Sequence, residues 1–294
     1  MADSELDLLA AGFAFLESPR WKAGRLWAAD LFASQILAFS PGGEIELTLN
    51  VPGTPAGLGW DATDRLHVLT ADGRMLAESH GQLIERPHRI DRGSALCNEM
   101  TFDAHGRLFV GIFGLLEGAL RRVDPDGTQR TVATDLLLPN GQALTADGQT
   151  LILAESAGQR LTAFSLTPDG QLTDRRVWAS FGPPASATSL KDAVGQLKVW
   201  PDGIALDATG GVWVADPFGH EVIRVLEGGQ VTNRVSTGAL TAYGCALGGN
   251  DGRTLYICAA PPSLHETTRR TQRSGCLVAT HVIVPATPLV TDSR

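Results

Sequence analysis

The stretch AGRLWAAD at residues 23–30 decides the fold, because this polar turn followed by a strand of alternating apolar residues recurs along the chain. The further copies are TDRLHVLT (63–70), HGRLFVGI (105–112), DGQTLILAES (147–156), TGGVWVAD (209–216) and DGRTLYICAA (251–260). Their strands start at Leu26, Leu66, Leu108, Leu151, Val212 and Leu255, at intervals of 40, 42, 43, 61 and 43 residues. A period of about 40–45 residues with turn-plus-strand content is typical of a β-propeller with one four-stranded blade per repeat. Six copies predict an all-β, six-bladed β-propeller.

The remaining sequence between the copies fits this architecture as one domain spanning residues 1–294. Further strand patterns end in hairpin turns such as Pro125-Asp126-Gly127 and Pro168-Asp169-Gly170. The strand CLVATHVIVP (276–285) is predicted to pair with an N-terminal strand and so close the ring. The longest interval contains the Gly/Pro/Ser/Ala-rich stretch at 180–200, which we expect to be an insertion that forms part of a lid over the binding face.

Composition excludes several classes of function. The formal net charge is −8 and the pI is about 5.3, so nucleic acid is not an expected partner, because neutralising phosphates needs a basic face. No apolar run approaches the roughly 18 residues of a membrane span, and the acidic N-terminus does not resemble a signal peptide. We therefore expect a cytoplasmic protein whose partner is a small molecule. Its four cysteines are too widely spaced for a zinc ribbon and are expected to be buried thiols.

Four polar residues share one position in their repeats. Glu17, Asn98, Asn140 and Asp202 precede their marked strands by 9, 10, 11 and 10 residues. Since the start of the innermost strand of each blade lines the central channel, these side chains are predicted to converge on one point. Two carboxylates and two carboxamides form an all-oxygen set, which suits Ca²⁺ first, Mg²⁺ or Mn²⁺ next, and Zn²⁺ less well. The alternative is that PNG and PDG are simply turn tripeptides.

The order of these elements resembles one known family. Glu17 in ESPRW, Asn98 before a DxxGRLxVG strand, Asn140 in PNG and Asp202 in PDGIALD together resemble the senescence marker protein (regucalcin)/gluconolactonase family, over roughly residues 12–260. The resemblance implies a six-bladed propeller with one divalent metal in its channel, and many family members hydrolyse lactones. It also implies that Glu17, Asn140 and Asp202 ligate the metal, that Asp202 is the catalytic acid/base, and that Asn98 helps to hold the substrate.

The substrate-binding pattern departs from that of the sugar-lactone enzymes of this family. Leu96 stands where they have arginine, Glu99 stands where they often have aspartate, and Glu117 matches a further acidic substrate contact only loosely. Loss of the arginine removes a strong donor for sugar hydroxyls. Leu96 and its apolar neighbours therefore predict a more apolar rim, to which we assign Met100, Phe113, Leu115 and Leu116.

Other polar residues have weaker cases. Tyr243 starts the sixth blade where other blades place a polar residue, so it is expected to flank the site. His220 follows the turn after the marked strand of blade five and is interpreted as structural, with a possible reach to the channel mouth. Asp30, Glu155 and Asp216 close their strands at one repeat position and are expected to be inter-blade hydrogen-bond acceptors at the end of the strand away from the site.

These observations predict a metal-dependent hydrolase of small lactones or esters, in which Asp202 moves the protons. There is no GxSxG element, so a serine hydrolase is not expected. Two alternatives stay open: an isomerase or cyclase on the same metal platform, and a metal-binding propeller without catalysis.

Overall fold

The computed structural model describes residues 6–187, 189–262 and 265–287, and within these ranges the chain is a ring of six four-stranded antiparallel sheets. Neither helix in these ranges has the length and apolar character that a membrane crossing requires. The elements, in chain order, are β1 (Asp7–Phe13), β2 (Leu16–Lys22), β3 (Arg25–Asp30), β4 (Gln35–Phe39), β5 (Ile45–Asn50), β6 (Pro55–Trp60), β7 (Leu66–Thr70), β8 (Arg74–Ser79), β9 (Gln82–Arg89), β10 (Leu96–Phe102), β11 (Leu108–Phe113), β12 (Gly118–Val123), β13 (Gln129–Leu136), β14 (Pro139–Leu144), β15 (Thr150–Glu155), β16 (Arg160–Leu166), β17 (Leu172–Ser180), α1 (Leu190–Val194), β18 (Ile204–Leu206), β19 (Val212–Asp216), β20 (Glu221–Val225), β21 (Val231–Ser236), β22 (Thr241–Gly248), β23 (Thr254–Ala260), α2 (Glu266–Gln272) and β24 (Gly275–His281).

The sheets follow the predicted repeat, so the six-bladed β-propeller is confirmed. Blades one to five are β2–β5, β6–β9, β10–β13, β14–β17 and β18–β21, each in sequence order. Blade six has the order β22-β23-β24-β1, which confirms that the N-terminal strand closes the ring. The marked strands of the repeat are the second strands of their blades, and β2, β6, β10, β14, β18 and β22 are innermost and contact one another around the axis.

Stability comes from the apolar layers between blades. Each of six buried clusters is made of side chains from two neighbouring blades, including blade six with blade one. Leu26 and Leu151, at the starts of two marked strands, are fully buried. A single blade would expose both of its apolar faces, so stacking around a ring covers what no blade can cover alone. Truncating such a leucine to alanine is expected to cost about 2–5 kcal/mol.

The hairpin turns and the cysteines also agree with the sequence. Gly43, Gly127 and Gly170 have positive φ angles at the tips of outer hairpins, a conformation that glycine adopts without strain. All four cysteines are buried and unpaired, and all lie in the described part of the chain.

The described residues of the insertion at 180–200 lie over one mouth of the channel. Its helix α1 is capped by the Ser189 hydroxyl, which accepts from the Asp192 amide. Ala185, Ala193 and Leu197 pack on Leu138 of the β13–β14 connection in a seventh apolar cluster. This contact fixes the insertion above blades three to five. Movement of the insertion as a lid stays a prediction.

Candidate active site at one mouth of the channel

A cavity of about 770 Å³ opens at the mouth of the channel covered by the insertion. All six innermost strands, or the residues just before them, contribute to its wall. Of the predicted site residues, it is lined by Glu17, Leu96, Asn98, Asn140, Asp202 and Tyr243. Glu117 is exposed on the turn before β12 and is absent from the described residues that line the cavity. The substrate contact predicted for Glu117 therefore gains no support from this geometry.

Irregularities in strand pairing direct side chains of the innermost strands toward the channel axis. The strand pairing shifts register between Glu17 and Arg20, between Asn98 and Met100, and between Pro139 and Gln142. An extra residue at such a bulge bends the strand and re-aims a side chain, and bulges are common beside active sites. In β2 and β10 the bulge places Ser18 and Glu99 at φ values of 51° and 57°. The polar position of the repeat therefore coincides with a repeated bulge.

Glycines next to the site residues let the innermost strands approach closely. Gly141 follows Asn140 and Gly203 follows Asp202, and neither has a positive φ angle. A Cβ on Gly141 would lie 2.5 Å from the carbonyl oxygen of Asp202, to which the Gly141 amide donates a hydrogen bond at 3.2 Å. The Gly203 amide donates to the carbonyl of Tyr243 at 3.0 Å in the same way. PNG and PDG are thus points of contact between blades. PNG lies within β14 and is not a turn, whereas PDG directly precedes β18.

The surroundings of the two acidic side chains in the predicted ligand set, Glu17 and Asp202, disfavour their charged forms. Burial, and then the nearby charge of Glu99, raise the pKa of Glu17 to about 8. Burial, Glu17 and then Glu99 raise the pKa of Asp202 well above its ordinary value, against a hydrogen bond from Asn140 that lowers it. Glu17 therefore contributes to keeping Asp202 protonated in the metal-free protein, and Glu99 contributes to keeping both protonated.

Glu99, the third acid of the region, already has partners. Its carboxylate accepts from Arg20 at 2.6 Å and from the Ser18 hydroxyl at 2.8 Å. Arg269 lies close enough to lower the pKa of Glu17, but it is directed at aromatic rings. Among the described residues that line the cavity, none is lysine or arginine. No lysine or arginine of the described cavity wall therefore offsets the charge that Glu17 and Asp202 would carry when ionised.

The donor set fits a hard divalent cation. The Asn98 amide nitrogen donates to the carbonyl of Pro139 at 3.3 Å, and that of Asn140 donates to the Ser156 hydroxyl at 3.2 Å. Because the nitrogens are bound to protein, the two amide oxygens remain for a ligand, and carboxylate and amide oxygens are what Ca²⁺ prefers. The described residues contain no group of three or more His, Cys, Asp and Glu suited to a metal, so a metal site here depends on the two carboxamides. It stays a prediction.

The rest of the wall is mainly apolar. Leu96 is 53% exposed at the rim, and Phe113 lies beside it. On the other side the wall is formed by Leu190 and Val194 of α1, Trp200 and Phe218. The assignment of Met100 to the rim is wrong, because Met100 is fully buried between blades two and three against Gly57. Leu115 and Leu116 lie outside the described lining of the cavity.

The acidic residues at the ends of the marked strands, Asp30, Glu155 and Asp216, lie at the same mouth of the channel as the site, contrary to the prediction. Asp30 pairs with Leu16 at the start of β2, because β3 runs antiparallel to β2. Its carboxylate accepts from the amides of Ala14 and Phe15 at 3.0 and 2.9 Å. Glu155 and Asp216 accept in the same way from the chain that enters β14 and β18. These acids are hydrogen-bond acceptors, but they anchor the start of the innermost strand within their own blade.

Sequence reasoning missed Arg269, which is 3% exposed in α2. Its guanidinium lies 4.3 Å from the ring centroid of Phe15 and 4.9 Å from that of Tyr243, and it donates to the Tyr243 hydroxyl at 2.6 Å. The only signal in the sequence was an arginine-rich segment outside the repeat pattern. It gives no indication of contact with the channel.

Fold and site together define a six-bladed β-propeller with an acidic small-molecule cavity at one mouth of its channel. The chain belongs to the SMP-30/gluconolactonase/LRE-like family, whose model matches residues 15–261. It is 28% identical over 278 residues to a 6-deoxy-6-sulfogluconolactonase from Pseudomonas putida, covering 92% of this chain and 91% of that one.

Solved structures share the fold over nearly the whole chain. A luciferin-regenerating enzyme superposes with a TM-score of 0.80 at 17% identity, covering 98% of each chain. Regucalcin from Agrobacterium tumefaciens, described as a calcium-binding protein, superposes with a TM-score of 0.78 at 18% identity, covering 97% of each chain. At these identities the likeness establishes the fold.

Proposed function

We propose that this protein is a divalent-cation-dependent hydrolase of small lactones or esters with a largely apolar substrate cavity. The observation that carries the proposal is the pair of carboxylates, Glu17 and Asp202, set with two carboxamides in a cavity whose described wall contains no lysine or arginine to balance them. Membership of a family with a sulfosugar lactonase among this chain's relatives supports the reaction class.

Glu17, Asn140 and Asp202 would hold the cation, with Asn98 beside it. A divalent cation at this position supplies Lewis acidity toward an ester carbonyl. Two carboxylates balance its charge, so an uncharged lactone meets a site with no net charge. The amide of Asn140 is fixed by Ser156, whose hydroxyl donates to the carbonyl of Pro201 at 2.6 Å. These contacts hold the carboxamide in place without a charge of its own.

Asp202 is the proposed acid and base. One carboxylate oxygen takes a proton from the attacking water as the new C–O bond forms at the carbonyl carbon. The same carboxyl then gives that proton to the alkoxide as the ring C–O bond breaks, leaving a hydroxy acid. A bound divalent cation would favour the ionised form of Asp202, which is the form that accepts the proton from water.

The apolar wall supports the choice of substrate. Leu96, Phe113, Trp200 and Phe218 would contact the body of the substrate, and apolar surface gains about 25 cal/mol for each Å² removed from water. Sugar hydroxyls placed against the same wall would lose water without gaining a partner, at about 1–3 kcal/mol each. The proposal therefore favours aliphatic or aromatic lactones over sugar lactones.

Chelation provides the test. Exhaustive treatment with EDTA is expected to abolish hydrolysis of dihydrocoumarin, and Ca²⁺, Mg²⁺ or Mn²⁺ is expected to restore it. Hydrolysis in ¹⁸O-labelled water should place the label in the carboxylic acid product, which separates hydrolysis from isomerisation. Full activity in protein shown to be metal-free by elemental analysis would refute the role of the cation.

A further inference from the structure

The wall of the cavity between blades five and six carries three polar side chains that the proposed reaction does not use. We call His220, Thr241 and Tyr243 the polar edge. All three line the cavity, and none belongs to the predicted cation-binding set. Leu240, which directly precedes Thr241, holds the ring of His220. Thr241 and Tyr243 both line the cavity from β22, although the pairing of this strand shifts register between Ala242 and Gly244.

His220 is held in a defined orientation. Its φ angle is 51°, a left-handed conformation that histidine seldom adopts, and its carbonyl accepts from the Thr237 amide at 2.8 Å. Its Nδ1 lies 2.9 Å from the carbonyl oxygen of Leu240, which also accepts from the Thr237 hydroxyl at 2.7 Å. A carbonyl only accepts, so Nδ1 carries the hydrogen and Nε2 of the neutral ring is an acceptor. Within the described residues Nε2 has no hydrogen-bond partner.

Tyr243 and Thr241, which line the same cavity, carry hydroxyl groups. The Tyr243 oxygen accepts from Arg269 at 2.6 Å, so its own hydrogen remains for another acceptor. Burial raises the pKa of the Tyr243 phenol, and a contact with the Thr241 hydroxyl opposes this effect. Thr241 is 4% exposed, yet its oxygen makes no well-formed hydrogen bond to the described residues.

We propose that the polar edge binds one hydroxyl group of the substrate and selects lactones that carry a single hydroxyl on an otherwise apolar skeleton. A hydroxyl both donates and accepts, so it can donate to His220 Nε2 while it accepts from Tyr243, whose phenol contacts Thr241. The surrounding wall of Leu190, Val194, Trp200 and Phe218 offers further hydroxyls no partner apart from the indole N–H. This inference rests on the proposed function for its substrate class.

Paired substrates test the inference. Values of kcat/KM are measured for 3,4-dihydrocoumarin and for its 3-hydroxy derivative. The wild-type protein is expected to prefer the hydroxylated lactone by about 5- to 10-fold, the value of a hydrogen bond to a prearranged group. Tyr243→Phe and Thr241→Val remove single oxygens, and His220→Asn shortens the side chain while tolerating the left-handed backbone. Each variant is expected to lose most of the preference.

The control is Val194→Ala on the apolar wall, which should change both rates by the same factor. Binding of the two corresponding lactams, 3,4-dihydroquinolin-2-one with and without the 3-hydroxyl, provides Kd values that do not depend on turnover. If no lactone is hydrolysed, the proposed function fails, and the Kd ratio of the lactams still decides the inference. Equal kcat/KM and equal Kd for both members of each pair in the wild type, or ratios unchanged in all three polar-edge variants, would overturn it.

Discussion

Replacement of Gly141 by alanine tests whether close approach of the innermost strands holds the candidate site together. The added Cβ would lie 2.5 Å from the Asp202 carbonyl oxygen and 2.7 Å from the Ile204 nitrogen. Both neighbours are backbone atoms, so no side chain can rotate away. Because the φ angle of Gly141 is not positive, the backbone conformation itself tolerates alanine. The substitution therefore isolates the contact between blades four and five.

The size of the effect follows from these distances. Ordinary van der Waals contact begins at 3.4 Å, so relief of the clash requires a shift of about 0.9 Å between the two strands. A misplacement of about 1 Å near a reacting group costs roughly 10²-fold in rate. Overpacking in a tight interior costs about 1–3 kcal/mol in the free energy of unfolding. We therefore expect kcat/KM to fall about 100-fold, with a measurable decrease in Tm.

The assay combines dihydrocoumarin hydrolysis with thermal unfolding monitored by circular dichroism. Gly42→Ala is the matched control, because a Cβ there meets only the Ser40 hydroxyl at 3.8 Å and the φ angle is again not positive. That variant is expected to match the wild type or to gain slightly in stability. Wild-type kcat/KM together with wild-type Tm for Gly141→Ala would show that the strands separate freely and that the reasoning is wrong.

Three further predictions concern the proposed chemistry. Asp202→Asn should lower kcat by about 10²–10⁴-fold. It should not lower Tm, since it removes an ionisable group beside Glu17. Activity within a few-fold of wild type would place the base elsewhere. In the metal-free protein Glu17 keeps its proton up to a pKa of about 8, above its value in the unfolded chain, so stability should decrease as pH rises toward 8. The increase in Tm on adding Ca²⁺ should accordingly be larger at about pH 8 than at about pH 6, because binding displaces that proton; equal increases would contradict this. With Leu96 in place of the family's arginine, kcat/KM should be higher for dihydrocoumarin than for gluconolactone, and a preference for gluconolactone of about tenfold or more would show that another donor serves the sugar.

Much of the candidate site could be predicted because the repeat indicates the position of a residue within its blade as well as the fold. A residue at a fixed distance before each marked strand occupies an equivalent place in every blade. Symmetry then brings Glu17, Asn98, Asn140 and Asp202 to one cavity, as the structure shows. For residues outside this repeated position the predictions were less successful. Glu117 lies on a turn whose direction depends on the following strand, and sequence distance alone gave it no reliable position.

Met100 shows why alternation alone is insufficient at a bulge. Its position next to Asn98 suggested a place on the rim. The register shift between these two residues turns Met100 into the layer between blades, where Gly57 leaves room for it. A bulge depends on how two strands pair, and the pairing is not visible in either strand by itself.

The sequence by itself determined the six-bladed ring, its closure by the N-terminal strand and the polar residues that face the channel. These properties follow from periodic burial, because each repeat must cover the apolar faces of its neighbours. Only the tertiary structure decided that Gly141 and Gly203 are blade contacts and that Arg269 fixes Tyr243 through α2. It also decided that His220 is held by Leu240. Such contacts join elements that no local pattern relates, so their energies depend on distances that exist only once the ring has closed.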